Sequence, residues 1–304
     1  MPVISVDNLR KSYNGTAAVD GISFSVERGE VFGLLGPNGA GKTTTVEIVE
    51  GLREADSGAV SVLDFDVRSQ RRDLKERIGV QLQKNALYPN LTVRETLDLF
   101  AGFFRNSQPS IGIIERLGLS DKADSVVKTL SGGQAQRLSV GLALVNDPDL
   151  VFLDEPTTGL DPQARRGLWD VVEEMKRSGK TVLLTTHYME EAERLCDRLV
   201  VVDHGKIIAE GSPRNLVDEH FKERAIEFEV RAELSADELG ALPDVTRQQQ
   251  QNGQMTLYST NPHQTLRALL ELGTQRGVEL AEIHIRRATL EDVFLKLTGR
   301  RIRE

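Results

Sequence analysis

The sequence holds a single cysteine, Cys196, in 304 residues. One thiol excludes an intramolecular disulfide framework and a cysteine-based metal cluster, and it fits a reducing cytosol. Long hydrophobic runs are also missing, since no stretch approaches the ~18 consecutive apolar residues of a membrane span. Met1-Pro2-Val3-Ile4-Ser5-Val6-Asp7 has neither a basic n-region nor a long apolar h-region, so no secretory signal is expected. Positive charge is not in surplus. The 38 Lys and Arg residues face 46 Asp and Glu, a net charge of −8. Bulk charge therefore gives no reason to expect nucleic acid or acidic lipid as a partner. What remains is a 39% hydrophobic chain, long enough for one large or two modest domains with a proper core.

The chain changes character near residue 211. Before it, short apolar runs alternate with longer amphipathic stretches. Gly29–Gly36, Leu150–Leu153, Thr181–Leu184 and Leu199–Val202 read as buried strands. With helices between them, they predict an α/β core with a parallel sheet. Ile4–Leu9, Ile22–Val26 and Ala59–Leu63 are short and turn-bounded, and predict an antiparallel edge. From about residue 90 to 146 the reading is mostly helical. Gly211-Ser212-Pro213 marks a boundary. Beyond it, a strand over Ala225–Leu234, a short helix over Ala236–Leu242 and strands flanking Asn252-Gly253 follow, the last pair being a hairpin signal. Asn261 is expected to cap a helix starting at Pro262, with Leu266, Leu269 and Leu270 on its apolar face. A strand over Val278–Ile285 completes a βαββαβ order, that of a ferredoxin-like α+β unit. A last helix from Thr289 places Leu290, Val293, Phe294 and Leu297 on one face, expected to pack on its own domain.

Gly36-Pro37-Asn38-Gly39-Ala40-Gly41-Lys42-Thr43, followed by Thr44, fits G-x-x-x-x-G-K-[ST] between a strand and a helix. Its glycines let backbone N–H groups turn toward phosphate oxygens, and the helix adds its positive dipole end. Lys42 is expected to reach the β- and γ-phosphates of ATP, and Thr43 to bind Mg²⁺. The apolar run ending in Asp154-Glu155 supplies carboxylates at the ligand-binding end of a parallel sheet. Asp154 would hold Mg²⁺ through water, and Glu155 would act as general base on the attacking water.

Leu130-Ser131-Gly132-Gly133-Gln134 resembles the signature of ATP-binding-cassette (ABC) ATPases. The resemblance covers roughly residues 3–215 and implies a P-loop cassette, with a helical subdomain at about 84–146 and an accessory domain over 216–304. It also implies a head-to-tail homodimer, in which Ser131, Gly132, Gly133 and Gln134 of each chain cover the ATP on the partner's phosphate loop. Tyr13 stands where an aromatic stacks on adenine. Gln83 resembles the Q-loop glutamine that contacts Mg²⁺ and the attacking water, with Gln81 a near neighbour. Gly159-Leu160-Asp161 resembles the D-loop, with Asp161 at the dimer seam. His187, after Thr185-Thr186, resembles the switch histidine on the γ-phosphate.

The tail, Ala288 to Arg300, resembles that of ATPase subunits serving ABC-2-type exporters, the daunorubicin and multidrug resistance group above all. The implied function is ATP hydrolysis powering drug or small-molecule efflux through a separate membrane permease. The chain would sit peripherally at the cytoplasmic face of the membrane, without nucleic acid. Alternatives are an exporter of lipid, carbohydrate or sodium, a regulatory subunit, and a soluble non-transport ABC ATPase. A non-hydrolytic scaffold is opposed by the intact motifs.

Overall fold

A computed structural model describes residues 2–83, 87–230, 234–251 and 254–299. The chain divides into two compact units between Pro213 and Arg214. The first unit opens with a hairpin of β1 (Ile4–Tyr13) and β2 (Thr16–Val26), followed by β3 (Val31–Leu35). Then come β4 (Ser57–Val62), β5 (Phe65–Asp66) and β6 (Ile78–Gln81). The rest are β7 (Leu150–Asp154), β8 (Thr181–Thr186), β9 (Arg198–Asp203) and β10 (Lys206–Gly211). They build two sheets, ordered β2-β1-β4-β5 and β10-β9-β3-β8-β7-β6. The first is antiparallel throughout. The second is parallel from β9 to β6, with β10 antiparallel at its edge.

Burial explains the division. Every residue of β3, β7 and β8 is buried, as expected where a parallel sheet is covered on both faces. β10 instead alternates half-buried and exposed residues, the pattern of a one-sided edge strand. One core joins both sheets through Ile4, Leu9, Phe24, Phe32, Val46 and Phe152. Phe24 stacks on Phe32 at 5.4 Å between centroids. The hairpin strands run further than the sequence pattern suggests, because their outer ends are polar and show no alternation to read.

The stretch after residue 90 is helical only in pieces. Helices Val93–Ala101, Ser110–Arg116 and Gly132–Leu142 are joined by loops and by two 3₁₀ turns, Ser120–Lys122 and Val127–Thr129. Thr92 and Glu95 form a reciprocal capping box at the first.

The second unit carries β11 (Arg224–Val230), β12 (Val245–Gln251), β13 (Gln254–Ser259) and β14 (Leu280–Arg286). They form an antiparallel sheet ordered β12-β13-β11-β14. With helices Ala236–Gly240 and Pro262–Arg276 between the strands, this is the ferredoxin-like arrangement. The expected turn at Asn252-Gly253 and the end of the first strand at 231–233 lie outside the described residues. Two expectations for the long helix need correction. Asn261 precedes it, but no side-chain cap bond forms; its backbone N–H donates to Ser259 Oγ instead. Leu270 is 46% exposed. The buried stripe runs through Pro262, Thr265, Leu269 and Gly273 at three- and four-residue spacing, since Gly273 lets the helix approach Leu280. In the last helix, Leu290–Thr298, Leu290, Val293 and Phe294 are buried, while Leu297 is half-buried.

Candidate functional site

Register brings the site together. Leu35 pairs with Thr186, Asp154 with Thr185, and Gln81 with Leu153. The carboxyl ends of β3, β8, β7 and β6 therefore share one edge, where an open α/β sheet binds its ligands. The glycine loop, His187, Asp154-Glu155 and Gln83 leave from those four ends.

The loop between β3 and the helix Lys42–Val49 needs its glycines. A Cβ on Gly36 would lie 2.2 Å from the Val202 carbonyl oxygen. Gly41 has φ +103° and packs as closely on the Ala18 carbonyl, at 2.3 Å, so a side chain is excluded by both conformation and space. Ala40 N–H donates to Pro37 O and Gly205 N–H to Ala40 O, which closes the turn. Asn38 and Gly39 stay exposed at its tip, with Pro37, Thr43 and Thr44 half-buried. Lys42 folds back inside the loop, its Nζ donating to Gly36 O at 2.8 Å and Pro37 O at 3.1 Å.

Glu155 is the hub. Its Oε1 lies 3.1 Å from Lys42 Nζ, with both side chains at most 5% exposed. Gln83 Nε2 and Thr158 Oγ1 each donate to Oε2 at 3.3 Å. His187 Nδ1 lies 3.3 Å from the same oxygen, though off the line of a well-aligned hydrogen bond. The His187 ring beside it and the Lys42 ammonium hold the Glu155 pKa down at about 2, against the upward push of burial. Its backbone has φ +46°, a strained conformation for glutamate. Thr185 fixes it there, accepting the Glu155 N–H at both its Oγ1 (2.9 Å) and its carbonyl oxygen (3.2 Å). Asp154 accepts from Thr185 Oγ1 and, at 3.5 Å, from Thr43 Oγ1. Burial raises its pKa, opposed by the Thr185 hydroxyl.

Gln83 rather than Gln81 reaches this cluster; Gln81 is 1% exposed and donates to Leu82 O. Thr158 and Thr185 were not singled out in the sequence. Thr185 directly precedes Thr186-His187, and its position opposite Asp154 is visible only through sheet register. Other expected residues stand elsewhere. Ser131 caps the helix Gly132–Leu142, accepting from Gln134 N–H while Gln134 Oε1 accepts from Ser131 N–H. Gly133 abuts Ala164, leaving no room for a Cβ. Asp161 caps the helix Pro162–Arg177 through Ala164 N–H. Tyr13 is 38% exposed at the end of β1, with Lys11 and Arg53 over its ring. Among the described residues, Ser131, Gln134 and Asp161 make no hydrogen bond to the Glu155 cluster.

Comparison with known proteins decides the family. Residues 19–158 match the ABC transporter family, and residues 211–298 match the C-terminal domain described as ATP-binding protein DrrA1-3-like. The whole chain is 42% identical to Nod factor export ATP-binding protein I of Ralstonia nicotianae, covering 96% of that protein. The protein of that name from Burkholderia lata is 43% identical, with each chain covered in full. The chain belongs to the ABC transporter family. Solved cassettes agree: cbiO1 from Clostridium perfringens superposes with a TM-score of 0.65 at 29% identity, covering 72% of this chain and 92% of that one. A dimeric cassette in a post-hydrolysis state bound to ADP and Pi gives 0.62 at 25% identity, covering 69% and 98%.

This cassette is thus the ATPase subunit of an exporter, and a nucleotide is its ligand. The glycine cradle fits phosphate. Among the described residues no cluster of three or more His, Cys, Asp or Glu side chains could cage a metal by itself. The Thr43 hydroxyl beside Asp154 instead offers two hard oxygen donors, the kind of partial set that suits Mg²⁺ shared with phosphates.

Proposed function

We propose that this ABC subunit hydrolyses ATP with Glu155 as general base and drives efflux through a separate permease. The observation that carries this is the convergence of Lys42, Gln83, Thr158 and His187 on one buried carboxylate. The backbone N–H groups of Gly36–Thr43 bind the phosphates, and Lys42 leaves Glu155 for the γ-phosphate. Thr43, Asp154 and Gln83 would hold Mg²⁺, and the ion would supply positive charge against the charge developing on the phosphates. Glu155, a carboxylate at neutral pH, accepts the proton of the attacking water, and it becomes a stronger base as the Lys42 ammonium leaves it for the γ-phosphate. His187 orients the water and the γ-phosphate. Tyr13 takes the adenine.

Ser131–Gln134 and Asp161 act on the nucleotide of a second copy in a head-to-tail homodimer. Among the described residues they make no hydrogen bond to the Glu155 cluster of their own chain, which supports that reading, as does the dimeric state of the post-hydrolysis neighbour. Among the described residues no helix is long and apolar enough to cross a membrane, so membrane contact runs through the permease. Its docking place is an apolar groove of about 570 Å³ between β6 and the helical segment. Leu52, Leu82 and Phe103 line it and are 47%, 40% and 68% exposed, a patch that calls for a protein partner.

The DrrA-like accessory domain supports drug-type efflux. The name shared by the whole-length relatives favours Nod factor export as a second reading. The test of the chemistry is Glu155→Gln. This variant should bind ATP, accumulate as a nucleotide-trapped dimer in size-exclusion chromatography, and release phosphate at least about a hundredfold more slowly. Wild-type turnover would remove Glu155 from the role of base.

A further inference from the structure

The groove is not wholly apolar: Arg72, Lys75, Glu76 and Ser139 line it beside the apolar wall, and so do two residues, Glu50 and Asn146, with buried oxygens that meet no donor among the described residues. Glu50 directly follows the helix Lys42–Val49 and lines the groove at 1% exposure. Among the described residues, neither of its carboxyl oxygens has a hydrogen-bond partner. Asn146 lines the same groove at 9% exposure. Its Nδ2 donates to Glu76 O at 3.2 Å and to Ile78 O at 3.0 Å, which fixes the amide orientation. Its Oδ1 is left without a donor.

Among the described residues, two carboxyl oxygens and one amide oxygen therefore lie buried beside a largely apolar groove without a hydrogen-bond partner. Such atoms are rare in folded chains, and each costs free energy that a hydrophobic side chain would avoid. Val49 before it and Leu52 two positions after it show that apolar groups fit this part of the chain. Burial, reinforced by the carboxylates of Asp154 and Glu47, pushes Glu50 up to about 9. In the open groove it is a neutral acid. A cation brought into contact would restore the carboxylate and supply donors in one step, while its aliphatic stem lies along the apolar wall.

We propose that the groove selects a permease helix that carries a lysine or arginine within its apolar face, placed to meet Glu50 and Asn146. This rests on the groove being the permease site. The apolar wall would supply contact area, and the basic residue would supply register and partner choice, because an all-apolar helix would leave the acceptors unsatisfied.

The test uses the full chain and three labelled amphipathic peptides about four helical turns long. All share a leucine and phenylalanine face and differ at its centre, which is lysine, glutamine or norleucine. Fluorescence anisotropy should show the lysine peptide binding wild type about tenfold or more tightly than the norleucine peptide. Glu50→Leu should invert that order, and the isosteric Glu50→Gln should shrink the preference toward equality. Equal affinity of the three peptides for wild type would overturn the basic-residue requirement and leave the docking surface standing. Absence of binding by all three, or binding unaffected by Phe103→Asp, would overturn the groove as docking surface and the requirement with it. A thermal melt of each variant guards against misfolding. Glu50→Leu should melt above wild type, and a lower melting point would show that Glu50 is held by the fold itself.

Discussion

Glu155 and Glu50 are both buried glutamates, 7% and 1% exposed, yet the protein treats them in opposite ways. At the phosphate edge, a histidine, a lysine, a glutamine and a threonine surround Glu155, and its pKa falls to about 2. Beside the groove, Glu50 has burial and neighbouring carboxylates for company, and its pKa rises to about 9. Burial alone therefore does not set the charge of a carboxyl; the donors within reach do. The first arrangement holds a carboxylate charged among donors that a nucleotide can draw away. The second produces an acid waiting for a partner.

The strongest way to break this contrast is to strip Glu155 of its lysine. Lys42→Met should abolish measurable phosphate release, since the same ammonium serves both the phosphates and the base. It should also destabilise the first unit by about 3–5 kcal/mol in a urea melt, the usual cost of leaving one partner of a buried pair behind. A variant of unchanged stability would mean that His187 alone sustains the Glu155 charge.

The pH dependence of stability separates the two glutamates next. Glu50 has a folded pKa of about 9 against an ordinary value of 4.5, so the folded chain binds more protons between those limits. Stability contributed by this site therefore falls as pH rises from 4.5 toward 9, by at most about 1.4 kcal/mol per pH unit. Glu155 has the opposite sign. Its contribution is complete above pH 4.5 and is lost as pH falls through about 2. Denaturant melts between pH 5.5 and 8 should show a downward slope in wild type that Glu50→Gln flattens. Equal slopes in the two proteins would return Glu50 to an ordinary, solvated carboxyl.

Much of the phosphate edge was legible in the sequence, because backbone and motif chemistry are local there. Gly36 and Gly41 are demanded by contacts under 2.5 Å, and Asp154-Glu155 closes an unbroken apolar run. The βαββαβ order of the second unit was likewise written in alternation and helix starts. What escaped depends on which distant residue arrives alongside. Gln83 is named by resemblance, not by chemistry: Gln81 is the same residue type two positions earlier, and the strand end is what turns Gln83 toward Glu155. Leu270 looks apolar enough to be core, but the tight seat of Gly273 on Leu280 rotates the helix away from it. Glu50 reads as an ordinary helix-end glutamate, yet it is buried beside a groove that it lines with residues such as Asn146, almost a hundred positions away.

Thr185 offers the finest test of how the charged hub is held. Its hydroxyl donates to Asp154 and accepts the Glu155 N–H, so one side chain ties the acid pair to β8. Thr185→Val keeps the shape and strand propensity and removes only those bonds. Because the Thr185 carbonyl still accepts the Glu155 N–H, the positive φ of Glu155 should survive with lower precision. The expected cost is about 1–1.5 kcal/mol, a roughly tenfold slower turnover at saturating ATP. Affinity for nucleotide should hardly move, since the glycine loop and Lys42 are untouched. A large rise in KM with unchanged kcat would instead place Thr185 in nucleotide binding, and the hub would then need no support from β8.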